Sequence, residues 1–203
     1  MKIICVGLNY PSHAGEIGMA EGENPVVFMK PDTALLRDNM PFYVPDWAER
    51  FDYEAEFVFR VSRLGRHIEE RFASRYYDSV GLGIDFTARD LQSELTAKGR
   101  PWEICKAFDY SAAISKFIPL SELPPASEIS FSLKVNGEER QKATAAEMIN
   151  SVDKIIAYVS QFFSLRIGDL IFTGTPTGVG PVKEGDRLEG EICGRKMLDF
   201  RIR

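Results

Sequence analysis

Short runs of apolar and β-branched residues, separated by Gly, Pro, Asn and Asp, recur along this sequence and constrain its fold more than any other feature. Runs of this length between turn-forming residues are typical of β-strands. The dipeptide Asn136-Gly137, between SLKV and EERQK, predicts a two-residue hairpin turn. Strands are predicted at residues 2–7, 26–29, 53–61, 129–135, 169–173 and 187–192.

Helical periodicity is confined to fewer segments. Apolar residues recur at three- and four-residue spacing over 145–163, where Thr144 is the predicted N-cap. Further helices are predicted over 69–80 and 87–98. Because the strands do not alternate regularly with helices, a doubly wound parallel sheet is disfavoured and a strand-rich α+β fold is expected. At 203 residues the chain is expected to form a single domain over 1–203.

The charge and hydropathy patterns exclude several classes of function. The chain has 25 Lys and Arg against 30 Asp and Glu, a net charge of -5, and no basic run that would follow a phosphate backbone. No apolar stretch approaches the roughly 18 residues that a membrane span requires, and the N-terminal run is too short for a signal peptide. We therefore expect a cytoplasmic protein without nucleic-acid or membrane partners.

Two acids in the predicted strand at 53–61 are the first candidate ligands. Period-two alternation places Glu54 and Glu56 on one face, with Cβ atoms about 7 Å apart. If that face lines a pocket, mutual repulsion and desolvation require a cation between the carboxylates. The alternative is a half-exposed strand whose acids face water.

A third acid, Asp85, stands alone in the apolar run VGLGIDF, just before the helix predicted over 87–98. It is either a helix N-cap or a further ligand. His13 and His67 are the only histidines, and the cysteines form no Cys-x-x-Cys pair, so a multi-histidine zinc site and a zinc knuckle are excluded. Hard oxygen ligands of this kind favour Mg²⁺, Mn²⁺ or Ca²⁺.

His13 and Glu16 are three residues apart and would face one another on a helical turn. A carboxylate that orients an imidazole makes a general base for activating water, whereas the alternative is an exposed polar turn after Pro11. Further along the chain, TGTPTGVG at 173–180 lacks the Gly-Lys-Ser/Thr ending of a P-loop. This stretch predicts a tight loop whose amides and hydroxyls hold a small anion.

Several short motifs follow one another along nearly the whole chain. They are Gly7-x-Asn9-Tyr10, His13-x-x-Glu16, Lys30-Pro31, Tyr53-Glu54-Ala55-Glu56, Asp85-x-Thr87-Ala88-Arg89-Asp90-Leu91-Gln92, Gly99-Arg100-Pro101-Trp102, Lys106-Ala107-Phe108-Asp109, Gly168-Asp169 and Thr173-Gly174-Thr175-Pro176-x-Gly178-Val179-Gly180. This set resembles the fumarylacetoacetate hydrolase family, and most closely its short branch of acylpyruvate hydrolases and oxaloacetate decarboxylases.

The resemblance implies a mixed β-sandwich or β-roll core with peripheral helices, assembled as a homodimer. One departure from the family is Leu8, because the position after Gly7 is often Arg. For Arg89 the alternative to a substrate contact is an ion pair with Asp90 or another nearby acid. The residues that the resemblance assigns are Glu54, Glu56 and Asp85 for Mg²⁺ or Mn²⁺, Arg89, Gln92 and Thr175 for substrate, and His13, Glu16 and Lys106 for catalysis, with His13 and Glu16 on a lid.

The activity implied by the resemblance is metal-dependent cleavage of a carbon–carbon bond in 2-oxo acids such as acylpyruvates. Decarboxylation of oxaloacetate is implied as well, since both reactions pass through an enolate. One alternative is an isomerase or decarboxylase acting on 2-hydroxyhepta-2,4-diene-1,7-dioate in aromatic catabolism. Another, from a different class, is an inactive module that binds a metal and a 2-oxo acid.

Overall fold

A large mixed β-sheet is the main element of the fold. The computed structural model describes residues 1–11 and 24–203. The strands of the described residues are β1 (Ile3–Gly7), β2 (Val26–Lys30), β3 (Leu35–Leu36), β4 (Phe51–Tyr53), β5 (Ala55–Val61), β6 (Tyr77–Asp85), β7 (Thr87–Ala88), β8 (Ala112–Ile114), β9 (Ile118–Pro119), β10 (Ser130–Val135), β11 (Glu138–Thr144), β12 (Leu170–Phe172), β13 (Gly180–Pro181), β14 (Arg187–Ile192) and β15 (Arg195–Arg201). Eight of them form the large sheet in the order β2-β1-β12-β5-β6-β8-β3, with β9 also paired to β6. The pairs β1–β12 and β3–β8 are parallel and the other pairs in this sheet are antiparallel.

A four-stranded sheet of order β11-β10-β14-β15 packs against the large sheet, and a small sheet of order β13-β4-β7 lies beside them. Phe57 of β5 contacts Phe131 of β10 edge to face, with ring centroids 4.9 Å apart. Gly190 of β14 lies so close to the large sheet that a Cβ there would be 2.4 Å from the side chain of Leu82. This architecture confirms the predicted strand-rich α+β sandwich.

The α-helices of the described residues are α1 (Arg89–Ala97), α2 (Glu103–Lys106) and α3 (Val152–Phe162). Helix α3 buries one apolar face in the core between the sheets. Ser151 caps this helix by accepting a hydrogen bond from the Lys154 N–H at 3.2 Å. No helix among the described residues combines the length and the apolar character needed to cross a membrane.

Two predicted helices differ from the structure. The segment 145–163 forms a 3-10 turn at Ala145–Glu147 and then an irregular link before α3 begins. Thr144 makes a capping box with Glu147, so this signal belongs to the short turn and not to α3. The helix predicted over 69–80 is wrong, because Glu70–Arg75 is a 3-10 helix and β6 follows it. The backbone hydrogen bonds that β6 makes with β5, β8 and β9 outweigh the weak helical periodicity of this segment.

Other local predictions are confirmed. The helix predicted over 87–98 contains α1, and the strand predicted over 187–192 coincides with β14. Asn136 and Gly137 connect β10 to β11 with φ angles of 54° and 84°. Two consecutive positive φ angles are typical of the tight hairpin turn predicted for this dipeptide.

Candidate metal centre

Neighbouring strands bring the predicted ligands together. Glu54 lies between β4 and β5, Glu56 lies in β5, and Asp85 is the last residue of β6. The Asp85 N–H donates to the Glu54 carbonyl at 2.8 Å, which fixes the two strands in register. The three side chains are buried, and one oxygen from each lies within 4.8 Å of the others. The alternative of acids facing water is therefore wrong.

The alternative role of Asp85 as a helix cap is also wrong. Helix α1 begins at Arg89, and the residue before it is Ala88. In the described part of the chain no side chain caps this helix. Asp85 points instead into the acidic cluster with Glu54 and Glu56.

Two buried ammonium groups neutralise part of this cluster. Lys106 Nζ lies 2.6 Å from Glu54 Oε2 and 2.8 Å from Asp85 Oδ2. Lys30 Nζ lies 2.7 Å from Asp85 Oδ1, but out of line for a hydrogen bond. Asp85 Oδ1 consequently has no hydrogen-bond donor among the described residues, which leaves a lone pair available to a cation.

The environment of Glu56 shows why a further positive charge fits here. Burial, and then the nearby Asp85 and Glu54 carboxylates, raise the pKa of Glu56 well above its usual value. Lys106 and the Gly174 N–H, which donates to Glu56 Oε2 at 2.8 Å, act in the opposite direction without cancelling the rise. A divalent cation would relieve this repulsion, and carboxylate oxygens are the ligands that Mg²⁺ and Mn²⁺ prefer.

A cavity of about 480 Å³ opens beside the acids. Part of its lining is apolar, and Phe28 there contacts Trp102 edge to face with ring centroids 6.1 Å apart. Cationic and amide groups line it as well. The apolar lining includes Leu8, Phe28 and Trp102, and the polar lining includes Arg50, Asp52, Arg89, Gln92 and Thr175.

Arg89 is held at the cavity by protein groups on each of its nitrogens. Its Nη2 donates to Glu54, its Nε donates to Asp52 at 2.8 Å, and its Nη1 donates to the side-chain oxygen of Gln92. Arg89 therefore pairs with nearby acids and lines the cavity at the same time. Arg89 occupies the Gln92 oxygen, and the Gln92 amide nitrogen has no acceptor in residues 1–11 and 24–203. Its two N–H donors are therefore available to a ligand.

Thr175 lines the same cavity, but its hydroxyl is already engaged. Its Oγ1 donates to the Ala55 carbonyl at 2.8 Å and accepts from Gln141 Nε2 at 2.8 Å. Gln141 also accepts from the Ala55 N–H at 2.9 Å and donates to the Pro176 carbonyl at 3.0 Å. This single buried amide thus connects β5, which carries Glu56, to the loop that follows β12.

The predicted pair His13 and Glu16 lies outside the described residues. Its role stays a prediction. Every other predicted site residue, from Glu54 to Thr175, lies on the wall of the one cavity.

Sequence reasoning missed several residues of the site. Asp52 is buried and shares the strand face of Glu54 and Glu56, so the same two-residue alternation carried the signal. Lys30 belongs to the Lys30-Pro31 motif, to which the family resemblance assigned no function. Gln141 had no local signal, because its contacts with Ala55 join residues 86 positions apart.

Replacing Gln141 with Met should lower the free energy of unfolding by about 2 to 3 kcal/mol, because the isosteric side chain leaves the buried Ala55 N–H without an acceptor. Urea denaturation followed by circular dichroism measures this change. Gln161→Met, at an exposed position of α3, is the matched control and should change stability by less than about 0.5 kcal/mol. Equal stability of the two variants would contradict the bridging role of Gln141.

The chain resembles known proteins over nearly its whole length. Residues 2–203 match the family model for the fumarylacetoacetate (FAA) hydrolase C-terminal domain. Oxaloacetate tautomerase YcgM of Escherichia coli K12 is 41% identical over 197 residues, which cover 97% of this chain and 90% of that protein. Human mitochondrial oxaloacetate tautomerase FAHD1 is 40% identical over 201 residues, covering 99% of this chain and 91% of that protein.

A solved structure shows the same fold. It is that of fumarylpyruvate hydrolase from Pseudomonas aeruginosa in complex with Mn²⁺ and pyruvate. The TM-score is 0.94 and the sequence identity is 39%, over 100% of this chain and 89% of that chain.

Proposed function

Because this chain belongs to the fumarylacetoacetate hydrolase family, we propose that it is a divalent-metal-dependent enzyme that generates enolates from 2-oxo acids. The family predicted from the sequence motifs is confirmed. The observation that carries the proposal is the buried cluster of Glu54, Glu56 and Asp85 on the wall of a cavity large enough for a small acid.

Mg²⁺ or Mn²⁺ held by Glu54, Glu56 and Asp85 would act as a Lewis acid that polarises the keto group of a 2-oxo acid and acidifies the adjacent carbon. The N–H groups of Gln92 bind a substrate oxygen, and Arg89 fixes their direction. Phe28 and Trp102 give the cavity an apolar surface for the carbon chain of the substrate. These residues bind and orient the substrate without taking part in bond breaking.

Lys106 supplies a fixed positive charge to the reaction. Burial alone would lower the pKa of Lys106, but the Asp85 and Glu54 carboxylates outweigh it and raise that pKa. An ammonium that holds its proton so strongly favours stabilisation of negative charge on the C2 oxygen over proton transfer. Lys106 therefore stabilises the enolate electrostatically.

One enolate serves several reactions. In tautomerisation of oxaloacetate a proton leaves C3 and another adds to the C2 oxygen. In decarboxylation the C3–C4 bond breaks, carbon dioxide leaves, and C3 takes up a proton. In acylpyruvate hydrolysis water adds to the C4 carbonyl before the C3–C4 bond breaks, giving pyruvate and a carboxylic acid.

Oxaloacetate is the first substrate that we propose, since the two relatives at 40% and 41% identity are oxaloacetate tautomerases. Acylpyruvates are the second class, supported by the likeness to a fumarylpyruvate hydrolase. We propose that His13, oriented by Glu16, activates the water that only hydrolysis requires. Tautomerisation and decarboxylation should depend less on this pair.

The purified protein should convert oxaloacetate between its enol and keto forms in the presence of Mg²⁺ or Mn²⁺. It should also release pyruvate from oxaloacetate or from acetylpyruvate, and EDTA should remove these activities until metal is returned. Ultraviolet absorbance of the enol and coupled detection of pyruvate measure the reactions. Absence of turnover on both substrates and on dienedioates would overturn the proposed function, whereas conversion of a dienedioate without loss of mass would establish the isomerase alternative.

We also propose a homodimer in the cytoplasm. The family resemblance supports the homodimer, and light scattering during gel filtration tests it. The compartment differs among relatives, because the human protein is mitochondrial and another relative is bacterial. Cell fractionation in the source organism tests the cytoplasmic location.

A further inference from the structure

Arg50 is a cation at the cavity that no part of the proposed chemistry uses. It directly precedes β4, lines the cavity, and has 52% of its side chain exposed. Its Nε donates to Asp52 Oδ1 at 2.8 Å and its Nη2 donates to Asp52 Oδ2 at 3.2 Å. Its Nη1 has no protein acceptor in residues 1–11 and 24–203. The two contacts with Asp52 thus fix the Arg50 guanidinium, and its Nη1 can still donate to a ligand.

The Asp52 carboxylate that holds Arg50 is shared. Asp52 Oδ2 also accepts from Arg89 Nε at 2.8 Å, and only 3% of the Asp52 side chain is exposed. One buried carboxylate therefore serves two guanidinium groups, so neither charge is fully compensated by it. The Arg89 nitrogens all have protein partners, so of these two guanidinium groups it is Arg50 whose Nη1 has no acceptor among the described residues and can meet an anion.

The charges that line the cavity favour a ligand with more than one negative charge. The acids on its wall are Asp52, Glu54, Glu56 and Asp85, and the cations are Arg50, Arg89 and Lys106. A divalent ion at the acidic cluster reverses the balance from one excess negative charge to one excess positive charge. Lys30, whose Nζ lies 2.7 Å from Asp85 Oδ1, adds a further positive charge. A metal-loaded site of this kind attracts a dianion more strongly than a monoanion.

The distance between the two ends of the site suits a short diacid. Residues on one face of a strand recur about every 7 Å, and the Arg50 side chain folds onto Asp52, one such step from Glu54. Arg89 donates to both Asp52 and Glu54, so one guanidinium spans the gap between the carboxylate that holds Arg50 and the acidic cluster. A diacid of four or more carbons, with bonds of about 1.5 Å and contacts of about 3 Å at both ends, reaches at least about 10 Å and is long enough to join the two. A 2-oxo diacid bound at the acidic cluster would therefore present its far carboxylate to Arg50.

We propose that Arg50 is a specificity residue that binds the distal carboxylate of the substrate, so that the enzyme prefers 2-oxo diacids over 2-oxo acids with a neutral tail. The inference rests on the proposed function, because it places the 2-oxo end at the metal ligands. Leu8, where the family often has Arg, lines the same cavity and offers no charge. Arg50 supplies a cation at the same cavity.

The sharpest test uses two unreactive ligands of equal length. 2-Oxoglutarate and 2-oxopentanoate differ only in the terminal carboxylate. Titration calorimetry on the Mg²⁺-loaded protein should show 2-oxoglutarate binding about 10-fold more tightly, the scale of one charge-assisted hydrogen bond at a half-exposed site. Oxalate, which has no tail, reports on the metal end alone.

The variant Arg50→Gln should weaken 2-oxoglutarate binding about 10-fold. Binding of 2-oxopentanoate and oxalate should stay within about twofold, since 2-oxopentanoate has no terminal carboxylate for Arg50 to bind and oxalate has no tail. Arg50→Lys keeps the charge but not the paired contacts with Asp52, and should restore part of the preference. Arg71→Gln is the matched control, because Arg71 forms a comparable ion pair with Glu69, two residues away, and is 72% exposed outside the cavity.

The possible outcomes separate the two proposals. Equal affinity of the wild-type protein for both 2-oxo acids, with oxalate still bound, overturns the role of Arg50 and leaves the proposed function standing. An equal loss of all three ligands in Arg50→Gln also overturns it, since Arg50 would then only shape the site. Failure of the metal-loaded wild-type protein to bind any of the three ligands overturns the proposed function itself. In each case an unchanged circular dichroism spectrum verifies that the variant is folded.

Discussion

Replacing Glu56 with Gln should weaken Mn²⁺ binding by more than about 100-fold, since loss of a directly coordinating carboxylate costs more than loss of an outer-shell partner. The variant should be inactive for the same reason. Calorimetric titration with Mn²⁺ measures the first effect, and the oxaloacetate assay measures the second. Glu184→Gln removes an exposed acid of the same type and serves as the control.

The metal-free form of Glu56→Gln should be at least as stable as the metal-free wild type. The Glu56 carboxylate is buried beside Asp85 and Glu54, and its raised pKa shows that its charge is unfavourable there without a cation. A carboxamide removes that charge while its oxygen still accepts from the Gly174 N–H. Urea denaturation in EDTA tests this expectation. Retained Mn²⁺ affinity would contradict the metal site, and a strongly destabilised variant would give Glu56 a structural role.

Each of the six strands predicted from the sequence overlaps a strand of the structure, but the longest strand, β6, is not among them, and one of the three predicted helices is wrong. The strand at 187–192 was predicted with its observed bounds because turn-forming residues stand at both of its ends. The helix predicted over 69–80 failed because β6 takes its hydrogen bonds from β5, β8 and β9, which come from distant parts of the chain. Local periodicity contains no information about such partners. Thr144 does act as an N-cap, but it caps the 3-10 turn at Ala145–Glu147 and not α3.

Predicting the site requires both the local alternation along a strand and the packing of distant parts of the chain. Alternation along one strand was enough to place Glu54 and Glu56 on the same face, and it would have included Asp52. It did not show whether that face is buried, because burial depends on how the strands around it pack. The position of Lys106 came from the family resemblance, since its contact with Glu54 joins residues 52 positions apart. Arg50 went unnoticed because an exposed Arg beside an Asp is common on protein surfaces.

Replacing Lys106 with Met should lower kcat on oxaloacetate by about 10²- to 10³-fold, the usual loss when a group that stabilises a developing oxyanion is removed. We expect the same change to strengthen Mn²⁺ binding and not to weaken it. The Lys106 ammonium lies between Glu54 and Asp85 and competes with the metal for their negative charge. A loss of activity together with unweakened metal binding distinguishes a catalytic role from damage to the metal site.

Stability provides a second readout for Lys106→Met. Without metal, the variant leaves Glu54 Oε2 and Asp85 Oδ2 without the ammonium that lies within 2.8 Å of both. Breaking a buried ion pair in this way costs about 3 to 5 kcal/mol. Because a divalent cation replaces the missing charge, Mn²⁺ should raise the melting temperature of this variant more than that of the wild type.

The control for Lys106→Met is Lys98→Met, which removes an exposed ammonium paired with Glu94 on the surface of α1. It should leave activity, metal binding and the response to Mn²⁺ unchanged, because a surface ion pair contributes less than about 1 kcal/mol. Full activity of Lys106→Met with bound Mn²⁺ would exclude the ammonium from the chemistry. Weaker Mn²⁺ binding by that variant would mean instead that Lys106 holds Glu54 and Asp85 in the positions that the metal needs, so the sign of the change in affinity decides between the two roles.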